Sequence, residues 1–130
     1  MEAKHLDWGK CDWFNPKPTV KRKVYQGSEH CTISMGVIQP GHVPGPHAHD
    51  YEQSVIIVKG KCDFHVVLDG EEKVYTFDAD ICSEDGAACF MTIPANAMHW
   101  IENPYDKPVY NMDLFIPKRT ADRQESVEVR

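Results

Sequence analysis

Apolar residues in this chain come in short runs, set apart by glycine or proline every several residues. Within the runs Val, Ile, Phe, Tyr and Thr dominate, a composition that suits a pleated surface better than a helix. Residues 32–38 form one such run, which stops at Pro40 and Gly41. Residues 53–58 form another; because Val55, Ile56, Ile57 and Val58 are contiguous, the pattern predicts a strand buried on both faces. After a turn at Lys59 and Gly60, Cys62, Phe64, Val66 and Leu68 alternate with Lys61, Asp63, His65 and Val67. Asp69 and Gly70 then supply the pair favoured in a type I′ turn and 73–77 returns, which predicts a hairpin.

The acidic stretch 78–86 is rich in turn formers and predicts a surface loop. Further strands are expected over 88–93, stopped by Pro94, and over 99–102 and 109–116, with a turn at Asn103, Pro104, Tyr105 and Asp106 between the last two. Many short antiparallel strands joined by tight turns predict an all-β barrel or jelly roll, which covers its own sheet edges. With 130 residues the chain fits the size of one domain. The division expected is an N-terminal arm over 1–19, a barrel over 20–117 and a short polar tail over 118–130.

Charge narrows the partners. Twenty acidic residues against fourteen basic ones give a net charge of −6, which argues against nucleic acid or an anionic membrane surface. No stretch approaches the roughly 20 apolar residues of a membrane span, and the first residues lack the apolar core of a secretion signal, so a cytoplasmic protein is expected. The 5 cysteines are irregularly spaced with no C-x-x-C pair, and are expected to be reduced thiols packed as small core residues.

Chemistry concentrates in two places. Residues two apart in a strand share a face, so His47 and His49 can aim into one cavity, with Gln53 at an even offset from both. His99 offers a third imidazole where a turn at Asn96 feeds a fresh strand. Three neutral imidazoles and an amide oxygen suit one divalent first-row ion, with zinc, nickel, iron and manganese all open. His5, His30, His42 and His65 stand alone and are expected on the surface or packed. The Lys21, Arg22, Lys23 cluster is expected on a solvated strand face, and Trp8, Trp13 and Phe14 against the barrel or across a homodimer.

The spacing G-x5-H-x-H-x3-Q-x6-G from Gly41 to Gly60, followed by P-x-N-x2-H-x3-N from Pro94 to Asn103, resembles the two motifs of the cupins. Their usual form has Glu at the position of Gln53 and Gly at that of Asn96. The resemblance implies a cupin-type antiparallel β-barrel around a metal. Within cupins the chain looks most like the KdgF group, which linearises unsaturated monouronates. It shares His47-Ala48-His49 with Glu52-Gln53, and a D-x-F-x-P-x-R run from Asp113 to Arg119. In that group the Asp, Phe and Arg of such a run line the pocket, which implies the same for Asp113, Phe115 and Arg119. The likeness departs over 78–89, where extra residues stand before the strand.

Opening an unsaturated uronate ring needs an oxygen polarised by a metal and a group that shuttles protons, a role expected of Asp113. A guanidinium suits the carboxylate of such a ligand, Arg119 first and Arg22 behind it, with Phe115 as an apolar wall. Two other functions fit the same residues: a metal-dependent dioxygenase acting on a small enolisable or aromatic compound, and a non-catalytic cupin that binds a small molecule.

Overall fold

In the computed structural model, residues 3–82 and 89–118 are described. A 3-10 turn over Trp8–Lys10 precedes strands β1 (Phe14–Lys17), β2 (Val20–Tyr25), β3 (Thr32–Ile38), β4 (Glu52–Lys59), β5 (Lys61–Leu68) and β6 (Glu71–Asp78). A single helical turn, α1 (Ala79–Cys82), leads on to β7 (Cys89–Ile93), β8 (Met98–Glu102) and β9 (Val109–Ile116). The strands form two antiparallel sheets, one in the order β1-β2-β3-β9-β4-β7 and the other β6-β5-β8.

Alternation decides what faces inward. Along β5, Cys62, Phe64 and Val66 are buried between the sheets while their neighbours reach outward. The turn after β5 has positive φ at both Asp69 (52°) and Gly70 (77°), the geometry of type I′. Across the gap, Val20, Ile38, Val55, Ile57, Ile93 and Val109 complete the core. Each such side chain, fully withdrawn from water, stabilises the fold by roughly 1.5–3 kcal/mol.

Several expectations are corrected. In β4 only Val55 and Ile57 are fully buried; Ile56 and Val58 are half-buried, because a second sheet covers just one face. The stretch beginning at 78 is no simple loop where it is described. Asp78 completes β6, Ala79 is fully buried with its N–H on the Gly60 carbonyl at 2.9 Å, and the Asp80 carboxylate accepts from Gly60 N at 3.0 Å. Residues 83–88 lie outside the described residues, so the expected strand at 88 is described from Cys89.

The N-terminal arm contributes β1 to the large sheet, and Lys23 explains how it is held. That side chain, 5% exposed, donates to the Trp8 carbonyl and lies 4.3 Å from the centre of the Trp13 ring. Lys21 is exposed and Arg22 turns into a cavity, so the three cations take three environments rather than one solvated face. Cys31 and Cys62 are free thiols. Burial, reinforced by the charge of Asp63, pushes Cys62 up to about 12, which leaves it unreactive.

Gly60 closes the turn between β4 and β5 with φ of 91°, and a Cβ there would lie 2.6 Å from the Pro108 carbonyl oxygen. Gly60→Ala is expected to destabilise the fold by about 1–3 kcal/mol, read as a lowered midpoint in thermal unfolding. A midpoint equal to that of the unaltered chain would contradict this account of the turn.

Candidate metal centre and its pocket

The segment between β3 and β4 is irregular, and it touches the small sheet at one point. The His47 N–H donates to His99 O at 3.1 Å and the His99 N–H to His47 O at 2.9 Å. This bridge sets two imidazoles side by side, with ring centres 4.3 Å apart. His49 follows 4.9 Å from His99, so alternation along a strand is not what gathers the set. The ligand atoms of His47, His49 and His99 all lie within 4.8 Å of one another.

Asn96 turns the chain into β8 with φ of 68°, and its N–H donates to His49 O at 2.7 Å. Asn is among the few residues besides Gly that tolerate this left-handed region, which accounts for its place where cupins usually carry Gly. Asn103, at the far end of the second motif, is buried and donates to the carbonyls of Ile38 (3.0 Å) and Lys107 (2.9 Å). Its role is to close a turn.

Each imidazole is oriented by its other nitrogen. Nδ1 of His47 lies 2.8 Å from Gly45 O, Nδ1 of His49 2.9 Å from Tyr51 O, and Nδ1 of His99 2.9 Å from Ala97 O. Carbonyl oxygens only accept, so in the neutral rings these Nδ1 atoms carry the protons and every Nε2 keeps its lone pair. The Gln53 amide donates through Nε2 to Asp113 Oδ1 at 3.0 Å, which turns Oε1 toward the rings. That oxygen is 3.1 Å from His49 Nε2 and 3.0 Å from His99 Nε2. Acceptor thus faces acceptor, an arrangement that a cation among them satisfies. The donor set of three nitrogens and one amide oxygen fits a borderline divalent ion.

Asp113 sits behind Gln53 on β9, where register and sequence cooperate. It pairs with Ser34 of β3 on one side and Val55 of β4 on the other. Its carboxyl accepts from Asn111 Nδ2 at 3.1 Å and lies 3.5 Å from Ser34 Oγ. Burial pushes the carboxyl above the usual range, while the charge of Arg22 and the hydrogen bonds from Gln53, Asn111 and Ser34 pull the other way. One row along, Arg22, Gly36 and Asn111 stand abreast on β2, β3 and β9. Gly36 has no side chain, and a Cβ there would meet Asn111 Oδ1 at 2.7 Å, so the glycine leaves room for Asn111 to cross toward the carboxyl.

Arg22, His47, Gln53, His99, Asp113 and Phe115 are among the residues that line a cavity of about 100 Å3. Phe115, 3% exposed, also meets His49 edge-on at 5.9 Å, and His49 stacks on Tyr51 at 4.1 Å. It therefore serves as wall and buttress together. The expected residue Arg119 lies outside the described residues. Of the solitary histidines, His65 stacks on Trp100 at 4.8 Å with Glu72 and Glu102 beside its ring nitrogens, and His42 is buried. Asn111 and Ser34 drew no attention in the sequence. Their signal was alternation, since both are polar residues on the inward face of a strand.

His99 is 2% exposed, and burial lowers its pKa to about 4, with further lowering by His47 and His49 partly offset by the Ala97 carbonyl. A folded value below that of the unfolded chain means that the unfolded state takes up the proton first as pH falls. The metal-free protein should therefore lose stability below about pH 6.5 from this residue, about 2 kcal/mol between pH 7 and pH 5. Asp113 contributes a slope of opposite sign, so the measurement compares denaturant unfolding of the parent with that of His99→Gln. The variant is expected to lose that part of the pH dependence, and equal slopes would refute the assignment.

Comparison with known proteins agrees with this architecture. No protein-family model matches the chain and no curated protein matches it in sequence. Among solved structures it is similar to KdgF from Halomonas sp., with 21% identity, a TM-score of 0.67, and coverage of 91% of this chain and 96% of that one. An RmlC-like cupin from Shewanella frigidimarina aligns with 23% identity and a TM-score of 0.65 over 90% and 94% of the two chains. The oxalate decarboxylase of Lactobacillus farciminis, in its formate complex, aligns with 17% identity and a TM-score of 0.69 over 92% of this chain and 34% of its own. Two facing antiparallel sheets, the imidazole cluster between them and these likenesses together give the chain the cupin fold.

Proposed function

We propose that the protein is a metal-dependent enzyme that opens the ring of a small 4,5-unsaturated sugar acid to its linear keto form. The observation that carries the reading is the Gln53 amide, whose oxygen faces His49 and His99 and whose nitrogen donates to Asp113. One side chain thus links the metal centre to a buried acid. The likeness to KdgF from Halomonas sp. over nearly the whole of both chains supports it, as does the D-x-F-x-P-x-R run. The Mn(II) centres of the Bacillus subtilis oxalate decarboxylase, another structure of similar fold, support a divalent ion.

His47, His49, His99 and Gln53 would hold the ion, which would polarise a ligand oxygen when bound. Ring opening breaks the bond between the anomeric carbon and the ring oxygen as the anomeric hydroxyl loses its proton. The enol so formed becomes a ketone once its hydroxyl proton leaves and a proton reaches the neighbouring alkene carbon. The conversion is an isomerisation and needs no external oxidant. Asp113, raised by burial above the usual carboxylate range, is suited to carry these protons. Arg22 would pair with the ligand carboxylate, Phe115 would exclude water, and Asn111 Oδ1, a buried acceptor with no hydrogen-bond partner among the described residues, can receive a sugar hydroxyl.

The test follows the ultraviolet absorbance of the double bond in 4,5-unsaturated galacturonate or guluronate against the spontaneous rate. Faster loss that chelation abolishes and added metal restores is the expected result. No acceleration, together with oxygen uptake on a diketone or catechol, would overturn the reading in favour of a dioxygenase.

A further inference from the structure

A second chamber, of about 150 Å3, adjoins the first and shares Arg22, Ile38 and His47 with it. Its remaining polar wall comes from two places that the proposed reaction does not use. Lys17 ends β1, directly across from Val20, and reaches into space left by Gly45, where a Cβ would lie 2.7 Å from the ammonium nitrogen. His42 follows Gly41 and is 8% exposed. Its position is fixed twice over, for Nδ1 lies 2.7 Å from Thr19 Oγ1 and its N–H donates to Gln39 O at 3.3 Å. The Gln39 N–H in turn donates to Thr19 O at 2.9 Å, which ties the β1–β2 turn to the loop that carries His42.

Sign and surroundings point to one kind of occupant. The chain carries a net charge of −6, yet among the described residues no Asp or Glu lines this chamber, where Lys17, Arg22 and His42 meet. Val20, Ile38 and Ile101 supply apolar walls, which strengthen any charge interaction among them. The three groups act on a common space: after burial, the charges of Lys17 and Arg22 are what hold His42 below its usual pKa. In the tautomer in which the Thr19 hydroxyl donates to Nδ1, Nε2 of His42 carries the proton and is a further donor.

We propose that Lys17, Arg22 and His42 form an anion subsite at the pocket mouth, which takes the carboxylate of the ligand while its reacting atoms enter the inner chamber. The assignment of the carboxylate rests on the sugar-acid reading above; the subsite itself rests on the residues that line the chamber. Lys17 and His42 are then positioning residues for substrate, and the N-terminal arm becomes part of the binding site.

The experiment titrates metal-free protein with saturated galacturonate, which the reaction cannot consume, by calorimetry, with galactose as the neutral control. Galacturonate should bind, galactose should not, and Lys17→Gln should weaken binding at least tenfold with Lys17→Arg restoring most of it. Since Lys17 is exposed, its variants should fold as the parent does. His42→Gln should weaken binding as well. Equal affinity in Lys17→Gln and the parent, or galactose binding as well as galacturonate, would overturn the subsite. Inorganic phosphate binding more tightly than galacturonate would overturn the carboxylate assignment in favour of a phosphate. Turnover of unsaturated uronate without this binding defeats the subsite alone, and binding without turnover defeats the ring-opening reading alone.

Discussion

His99→Ala is expected to lower the affinity for zinc or manganese by more than about 100-fold, beyond the effect usual for losing a partner that merely orients a ligand. His99 is 2% exposed, its Nδ1 is tied to Ala97 O, and its Nε2 lies 3.0 Å from Gln53 Oε1, so among the described residues no other His, Cys, Asp or Glu joins the cluster to replace it. His47→Ala and His49→Ala should behave alike, since each removes one of the three nitrogens gathered within 4.8 Å. The backbone bridge between residues 47 and 99 survives all three changes, because main-chain atoms make it. Circular dichroism should accordingly remain that of the parent. Metal content per chain after dialysis against a weak chelator is the measurement. A full complement in all three variants would show that the imidazoles do not hold the ion.

Asp113→Asn should separate metal binding from catalysis. The substitution keeps the shape of the side chain, and its oxygen can still accept from Gln53 Nε2, which lies 3.0 Å away in the parent. Metal content is therefore expected to stay near that of the parent. Turnover of the unsaturated uronate should fall by about 10²–10⁴-fold, the usual contribution of a positioned acid or base. Turnover at the parent rate would remove Asp113 from the chemistry and leave it a structural member of the hydrogen-bond cluster with Ser34 and Asn111.

Much of the fold was legible because alternation and turn chemistry agree along the chain. The strands over 32–38 and 109–116 were read with the bounds observed, and the hairpin around Asp69 and Gly70 was read from an Asp-Gly dipeptide, which favours positive φ at both residues. What escaped depends on which layer lies against which. Four contiguous apolar residues from Val55 to Val58 look buried all round, yet the second sheet covers only Val55 and Ile57. Ala79 and Asp80 look like loop residues until the Gly60 backbone meets them from 19 and 20 residues away.

The site divides in the same way. His47, His49 and His99 were found from spacing, although the expected reason was wrong: a backbone bridge and three carbonyl contacts orient the rings, in a segment that is not a strand. Lys17 and His42 were invisible as a pair, because nothing local to either residue foretells that the Thr19 turn will bring them together. The polar residues Asn111 and Asp113, between the buried Val109 and Phe115 on one face of β9, were the readable sign that this face lines a site.

The bridge between His47 and His99 stands where the irregular segment before β4 meets the smaller sheet, while Gln53 belongs to the larger one. Neither layer alone can assemble the four donors. An ion held by these donors would act as a clasp across the sandwich, and its uptake during refolding should report the moment at which the two layers dock.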